Sequence, residues 1–483
     1  MENINPGTVE VTRAELISYD GNIRRDLSSN YVYGFEISQS MDAVAYSGSI
    51  DILDTSNVLE GMPIRGEETL NLTLVGMDFN TEVFIAARVH RVSNIVPRPS
   101  SNGVTYTIHF VSKQSFNAST RKILTSYLTT PDAMAHDMFS KSYAKLREAS
   151  SFDPKLKKSK KVLPYESKVY DLIKDGKSQD DPDRSLFVQK AKNQTQLIIP
   201  DLEPAEAMYF AASRSYNPST PSQTFRFFET IEDFYFCTDE FFIKRANNLY
   251  AEDKLNIEKL FYAPVVDLDA RNIEAQFNRI EDLQVLSKGI DTSTDLNSGA
   301  YLNRVIQVDL IKKRLTDSLF DFSNTSYVDM TGKPRELENN PHTEKFRKET
   351  FKKENARTFM VFKDYNGDGD SPSNVKRDQH FADIVHNRVS YYHHLHNTNV
   401  MAQLKGRLDL RPGQIIMLEI KALDGVDNTI TMNDTLSGRY MIKSTNHKMR
   451  EGVLNTTLNI VKFDHSGQEE LIESETADIG VGI

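Results

Sequence analysis

The stretch LSGRYMIKSTNHKMREGVLNTTLNIVKFD, Leu436–Asp464, is written as a hairpin. Arg439 to Met449 forms one arm, Glu451 and Gly452 make the turn, and Leu454, Thr456, Leu458 and Ile460 share one face of the other arm. A repeat of two places alternate side chains on opposite faces, the pattern of a strand with one buried side. Just upstream, LKGRLDLRPGQIIMLEIKAL (Leu404–Leu423) starts with alternating residues, turns at Pro412 and Gly413 and continues as an apolar strand. The other end of the chain has the same texture. Tyr31, Tyr33, Phe35 and Ile37 alternate, as do Leu70, Leu72 and Leu74, then Val83, Ile85, Ala87 and Val89, then Val104, Tyr106, Ile108 and Phe110. Turn material at Asp78 to Thr81 and Pro97 to Gly103 separates them, which predicts neighbouring antiparallel strands in a sheet or small barrel. The fold class is therefore α+β, mainly β, with two strand-rich modules bracketing a mixed centre. The modules share no detectable self-similarity, so any kinship between them is one of shape.

The centre begins at helical spacing. Ile123, Leu124, Tyr127 and Leu128 fall on one face, and Ala135, Phe139, Tyr143 and Leu146 on another after the start signal Thr130, Pro131, Asp132. The lysines 155, 157, 158, 160 and 161 and the Asp- and Lys-rich segment Lys174 to Arg184 read as solvated loop. LIIPDLEPAEAMYFAASRS (Leu197–Ser215) predicts a strand, a turn and a helix with Pro204 in its first turn. TFRFFETIEDFYFCTDEFF (Thr224–Phe242) predicts two aromatic strands around Thr230 to Asp233, their rings filling a core. Further strands are predicted within LFYAPVVDL (Leu260–Leu268), IEDLQVLSKG (Ile280–Gly289) and NRVIQVDLIKKRLTDSLFDF (Asn303–Phe322). Ser323 to Arg377 is a polar excursion, after which Phe381, Ile384, Val385, Val389 and Tyr392 predict one side of a helix. The domains expected are 1–113, a first β-barrel; 114–245, mixed α+β; 246–322 with 378–465, a second β-barrel; 323–377, a polar insertion; and 466–483, a tail.

Composition narrows the chemistry. At 483 residues the chain is long enough for two to four cores. Its one cysteine, Cys237, builds neither an internal disulfide nor a cysteine zinc site. Met1 to Thr12 lacks signal-peptide character and no apolar run approaches the roughly 20 residues of a membrane span. Export and membrane anchoring are not expected. A net charge of -10 argues against electrostatic clamping of nucleic acid. Asp364, Asn366, Asp368 and Gly369 open a calcium-loop pattern, but Val375 stands where the closing carboxylate belongs, so the stretch reads as a polar turn. His380, His386, His393, His394 and His396 lack metal-ligand spacing and a partner carboxylate. Glu229, Glu232 and Asp233 could form a glycosidase pair, but turn carboxylates are expected to face solvent. No nucleophile elbow, P-loop or H-E-x-x-H helix is present, so no catalytic, cofactor or metal residues are assigned.

Taken in order, LIIPDLEPAEAMYFAASRS, FRFFETIEDFYFCTDEFF, NSGAYLNRVIQVDLIKKRLTDSLFDF, RLDLRPGQIIMLEI and LSGRYMIKSTNHKM resemble the central baseplate hub of contractile-tailed bacteriophages, related in shape to the base of type VI secretion spikes. The resemblance runs from Leu16 to Asp464. It implies a homotrimer in which two barrel domains per subunit give a pseudo-sixfold ring, adapting a hexameric tail tube to a trimeric central spike. The partners it implies are the spike, tail tube or tube-initiator proteins, the tape measure protein and baseplate wedge proteins, with DNA only in transit. The site is the virion tail, assembled in host cytoplasm, and no enzyme activity is implied. An acidic chain further suggests a channel lined by carboxylates that repel DNA. The alternative is a tail-tip receptor- or carbohydrate-binding module, which requires aromatic rings exposed on loops.

Overall fold

The computed structural model describes residues 7–28, 31–56, 58–62, 64–76, 81–98, 103–149, 167–173, 183–220, 222–251, 257–263, 276–288, 294, 297–300, 302–310, 313–321, 357–362, 381–395, 398–423, 430–433 and 436–463. The first module comprises β1 (Val9–Ile17), β2 (Arg24–Asp26), β3 (Val32–Ser40), β4 (Ser47–Asp54), α1 (Val58–Gly61), β5 (Thr69–Gly76), β6 (Thr81–Arg98), β7 (Gly103–Ser112) and α2 (Lys113–Ser119). Its strands run in the order β3–β4–β7–β6–β5–β1–β2, each antiparallel to its neighbours. The alternation read in the sequence maps onto burial: Leu70, Leu72, Leu74, Val83, Ile85, Ala87, Val89, Tyr106, Ile108 and Phe110 are all in the core. On β3 the expected face holds only from Phe35. A register shift between Val32 and Gly34 turns Val32 inward and leaves Tyr33 exposed, because a bulge adds one residue and flips the face before it.

The mixed unit follows with β8 (Ile123–Thr129), α3 (Pro131–Ser142), β9 (Leu146–Glu148), β10 (Lys168–Leu172), β11 (Ser185–Val188), β12 (Thr195–Leu202), α4 (Pro204–Ser213), β13 (Arg226–Glu229), β14 (Phe234–Cys237) and α5 (Asp239–Ala251). The helix expected over Ile123 to Leu128 is strand β8, antiparallel to β12. Ile123, Thr125 and Tyr127 turn inward while Leu124, Ser126 and Leu128 stay out, so the β-branched residues and a distant partner decide against the helical spacing. Helices α3 and α4 begin at Pro131 and Pro204 as read, and Glu203 with Glu206 completes a capping box on α4. The aromatic strands pair as expected, β13 with β14, and their rings fill cores rather than face solvent. Phe234 packs edge-on to Phe139 at 4.9 Å and Phe228 stacks on Tyr235 at 5.1 Å. The second strand stops at Cys237: Asp239 and Glu240 open α5, where carboxylates favour a helix start.

The last block contains β15 (Glu258–Tyr262), β16 (Ile280–Lys288), β17 (Leu302–Asp309), β18 (Arg314–Asp321), β19 (Arg357–Phe362), α6 (Phe381–Leu395), β20 (Thr398–Lys405), β21 (Ile415–Leu423), β22 (Ile430–Met432), β23 (Gly438–Arg450) and β24 (Val453–Lys462). Its main strands order as β16–β20–β24–β23, with β21 antiparallel to β23 and β15 parallel to β21. The opening hairpin is β23–β24. Its turn residues have φ +52° at Glu451 and +80° at Gly452, the left-handed pair of a two-residue turn that matches strand twist. Within the segment read as a polar excursion, Arg357–Phe362 is a strand, parallel to β17 in a three-stranded sheet with β18. Helix α6 is rotated from its expected face: Ile384, His386, Ser390 and Tyr391 are buried and Tyr392 is 39% exposed. His386 and Ser390 face inward because Asn303 and Ser318 on the underlying sheet hydrogen-bond them.

Candidate functional site

The two strand modules are joined edge to edge. β3 pairs antiparallel with β23 from Ser40↔Ser444 through Ile37↔His447 to Gly34↔Arg450, so one sheet runs through both. The β23–β24 hairpin then serves each module. From β3 the first circuit passes through β4, β7, β6, β5 and β1, whose entry returns to β24 at the bridge Thr8↔Val453. There the Leu454 N–H donates to the Gly7 carbonyl at 2.7 Å and the Gly406 N–H to the Leu454 carbonyl at 3.0 Å. The crossing needs glycine: a Cβ on Gly406, whose φ is +72°, would stand 2.8 Å from the Gly7 backbone. The second circuit runs β15–β21–β23–β24–β20–β16 and returns at the bridge Phe261↔Arg279.

One face of the joint sheet covers the two cores, and the other is a polar surface. Register aligns its side chains in rows across the seam: Gln403, Thr457, Asn446, Ser38 and Ser47 in one, and Lys405, Asn455, Lys448, Glu36, Ser49 and His109 in the next. Amides and hydroxyls dominate, and the two lysines of the second row are paired. Lys448 lies 3.2 Å from Glu36, and Lys405 lies 2.7 Å from Glu281. The Asn446 amide donates to Glu36 at 2.9 Å and, with Lys448, holds that carboxyl below the usual range against the desolvation that opposes it. On the covered face His447 is buried against Thr456, and desolvation pushes its ring pKa down to about 3.

Beneath the seam a buried polar clamp ties the first module to the mixed unit. Glu229 accepts from Ser112, from Ser115 at 2.5 Å and from Arg184 at 2.6 Å, and both members of the ion pair are sealed from solvent. The Arg184 guanidinium also caps the Phe234 ring at 4.1 Å and donates to the Thr230 carbonyl at 2.5 Å. In the adjacent turn the Ile231 N–H donates to Gln39 of β3 at 2.9 Å, and Arg411, which leads into β21, lies 3.8 Å from Glu232. The turn between β13 and β14 thus touches both strand modules.

These contacts revise the reading of the carboxylates. Glu229 does not face solvent; it is the centre of the clamp, and Ser112 and Ser115, over a hundred positions away in sequence, gave no local sign of it. Asp233 is half-buried and accepts from the Ser185 N–H at 2.8 Å; desolvation first, then Glu232, raises its pKa to about 7. Only Glu232 retains substantial exposure. Among the histidines, His386 is a core residue between Asn303 and Ser318, held neutral by desolvation with its pKa pushed down to about 4. Among the described residues no group of His, Cys, Asp and Glu is arranged to hold a metal. Asp364, Asn366, Asp368, Val375, His380, His396 and the lysines 155 to 161 lie outside the described residues. The large exposed aromatics among the described residues are Tyr19, Tyr33, Phe362 and Tyr392, spread over separate elements. No helix among the described residues is long and apolar enough to cross a membrane.

No family model matches the chain, and no curated protein matches its sequence. Solved structures do. The chain is similar to a tail protein from Neisseria meningitidis MC58 at 9% identity, over 95% of this chain and 97% of that one, with a TM-score of 0.47. It is similar to the 43 kDa tail protein of prophage MuSo2 from Shewanella oneidensis at 8% identity, over 94% and 99% of the two chains, with a TM-score of 0.46. A third similar structure is the E. coli c3393 protein, a component of the type VI secretion system with structural similarity to the T4 tail proteins gp27 and gp5, at 8% identity over 90% and 74%, with a TM-score of 0.37.

Proposed function

We propose that the protein is the structural hub of a contractile phage baseplate, a homotrimeric ring of pseudo-sixfold outline that joins tail tube to central spike and leaves a channel for DNA. The observation that carries this is the β3–β23 seam. It sets two strand modules side by side as one rigid sheet, which is what a subunit needs to present two similar lobes to a sixfold partner. In this reading each circuit of strands is a small barrel, the two sharing one hairpin, while β17 and β18, within the expected second barrel, and β19, within the expected insertion, form a sheet apart from both circuits. Spike, tube, tape measure and wedge proteins are its partners in the virion.

The polar face of the joint sheet suits a channel wall. Its amides, hydroxyls and lysine–carboxylate pairs present a low cationic density to phosphate among the described residues, so DNA passes with little of the counterion release that drives binding. The wall proposed is thus neutral rather than carboxylate-lined. Mass photometry and negative-stain electron microscopy of the purified chain test the reading: a species of three copies with six lobes is expected. A monomer or dimer at micromolar concentration, or a ring without six lobes, overturns it.

A further inference from the structure

The mixed unit holds a cavity of about 130 Å³ between helix α3 and the β10–β11 pair. The register Lys168↔Val188 and Tyr170↔Leu186 sets Lys168, Tyr170 and Val188 on one face of that pair, because residues two apart on a strand and directly opposite across a ladder point the same way. Lys190, two residues beyond Val188, lines the same space. On the helix, Asp132 and His136 stand one turn apart and face it together, with Ala133 beside them. Two contacts join the walls. The His136 ring lies 4.3 Å from that of Tyr170, tilted by 48°, and the Asp132 carboxylate accepts from the Ala191 N–H at 3.3 Å. The cavity is therefore shaped by the fold before anything enters it.

Charge decides what it can take. The lining holds two ammonium groups and one carboxylate, and among the described residues neither Lys168 nor Lys190 forms an ion pair. The chain as a whole is acidic, with 68 Asp and Glu against 58 Lys and Arg, so two unpaired lysines on one small cavity make a local excess of positive charge. Desolvation, with Lys168 adding to it and Asp137 opposing, lowers the His136 pKa below its ordinary value; near neutral pH the ring is uncharged. Desolvation, then Glu148 and Asp132, raises that of Tyr170, which stays a phenol. A metal cation would meet both ammonium groups and a single carboxylate already engaged by Ala191. A monoanion suits the lining better than a dianion, which would crowd Asp132. Ala133 and Val188 add an apolar strip where a short hydrocarbon stem can lie.

We propose that this cavity binds a carboxylate carried on a short apolar stem, its oxygens taken by Lys168 and Lys190 and its stem by Ala133 and Val188. Such a group is borne by an acidic side chain of another protein or by a free small acid. Every lining residue belongs to the mixed unit, so the site stands independently of the number of copies in the hub.

The full-length protein, labelled at alanine methyl groups, tests this through the Ala133 resonance near neutral pH and at constant ionic strength. Sodium propionate and the peptide acetyl-Gly-Glu-Gly-amide supply the carboxylate, propionamide is the uncharged isostere, and inorganic phosphate is the competing anion. Propionate is expected to shift the resonance saturably in the millimolar range, as suits so small a ligand, and propionamide to leave it in place. Lys168→Met and Lys190→Met each remove one charge-assisted bond and are each expected to weaken binding about tenfold. Lys168 is exposed and Lys190 half-buried, and methionine keeps their stems, so both variants are expected to retain the far-UV circular dichroism of the parent. Lys259→Met, which removes an exposed lysine from β15, is expected to leave binding unchanged. Tighter binding of the peptide than of propionate assigns the site to a protein-borne carboxylate, and the reverse order to a free acid. No saturable shift with either carboxylate, an equal response to propionamide, tighter binding of phosphate, or the same affinity in both lysine variants overturns the proposal.

Discussion

Substituting Glu229→Gln probes the clamp that holds the first strand module on the mixed unit. The change keeps volume and shape, so no cavity forms and the loss is electrostatic. In the native chain the carboxylate balances Arg184, which is 1% exposed at its side chain and has no route to water. Glutamine leaves that charge without its counter-ion and turns one acceptor oxygen into a donor facing a serine hydroxyl. Removing one partner of a buried pair costs about 3–5 kcal/mol, and because the amide still accepts one bond the lower end is expected, about 3 kcal/mol. With no tryptophan in the chain, guanidinium unfolding is best followed by circular dichroism and tyrosine fluorescence. Adding Arg184→Met, which removes the stranded charge while keeping apolar contact with Phe234, is expected to recover part of the loss. A loss below about 1 kcal/mol, the size of a surface pair, or a double variant worse than the single one, refutes the role given to the clamp.

Glu451 holds φ +52° at the first position of the hairpin turn, so Glu451→Asn is expected to stabilise the chain by about 0.5 kcal/mol, read as a raised unfolding midpoint. Gly48→Ala would put a Cβ 2.4 Å from the Glu36 carbonyl and 2.5 Å from the Phe110 ring, at a cost of at least about 1–3 kcal/mol in the same assay. His447 has its folded pKa depressed to about 3, so between about pH 6.5 and that value the unfolded chain binds the extra proton and stability falls as pH falls. His447→Gln is expected to remove about 1.4 kcal/mol per pH unit from that slope in denaturation series at pH 6.5 to 4. Asp233 behaves oppositely: its raised folded pKa, about 7, favours the folded state below about pH 4 and that contribution is lost as pH rises through 7. Asp233→Asn should therefore raise the melting temperature at pH 8 relative to the parent and give no such gain near pH 4.

Most of the strands were legible because alternation is local: Leu70, Leu72 and Leu74, or Leu454, Leu458 and Ile460, announce a buried face without knowledge of a partner. Proline at the starts of α3 and α4 was legible for the same reason. The misreadings came where a partner decides. Ile123 to Leu128 satisfies a helical spacing and a strand alternation together, and pairing with β12 selects the strand. Tyr33 is displaced by a bulge, and α6 is rotated by Asn303 and Ser318. The seam and the clamp were invisible in the sequence because they join residues about 100 to 400 positions apart: Gln39 with Thr445, and Ser112 with Glu229.

The sharing of β23 and β24 between circuits has a consequence for biosynthesis. Strand β3 leaves the ribosome some four hundred residues ahead of its neighbour β23, so the first module waits with a bare flank while that length of chain is made. A product cut short before Gly438 keeps that flank unsatisfied and lacks the hairpin on which the other module closes. A chain that has not yet reached β23 therefore completes neither strand module, and pairing of that hairpin fixes both at once.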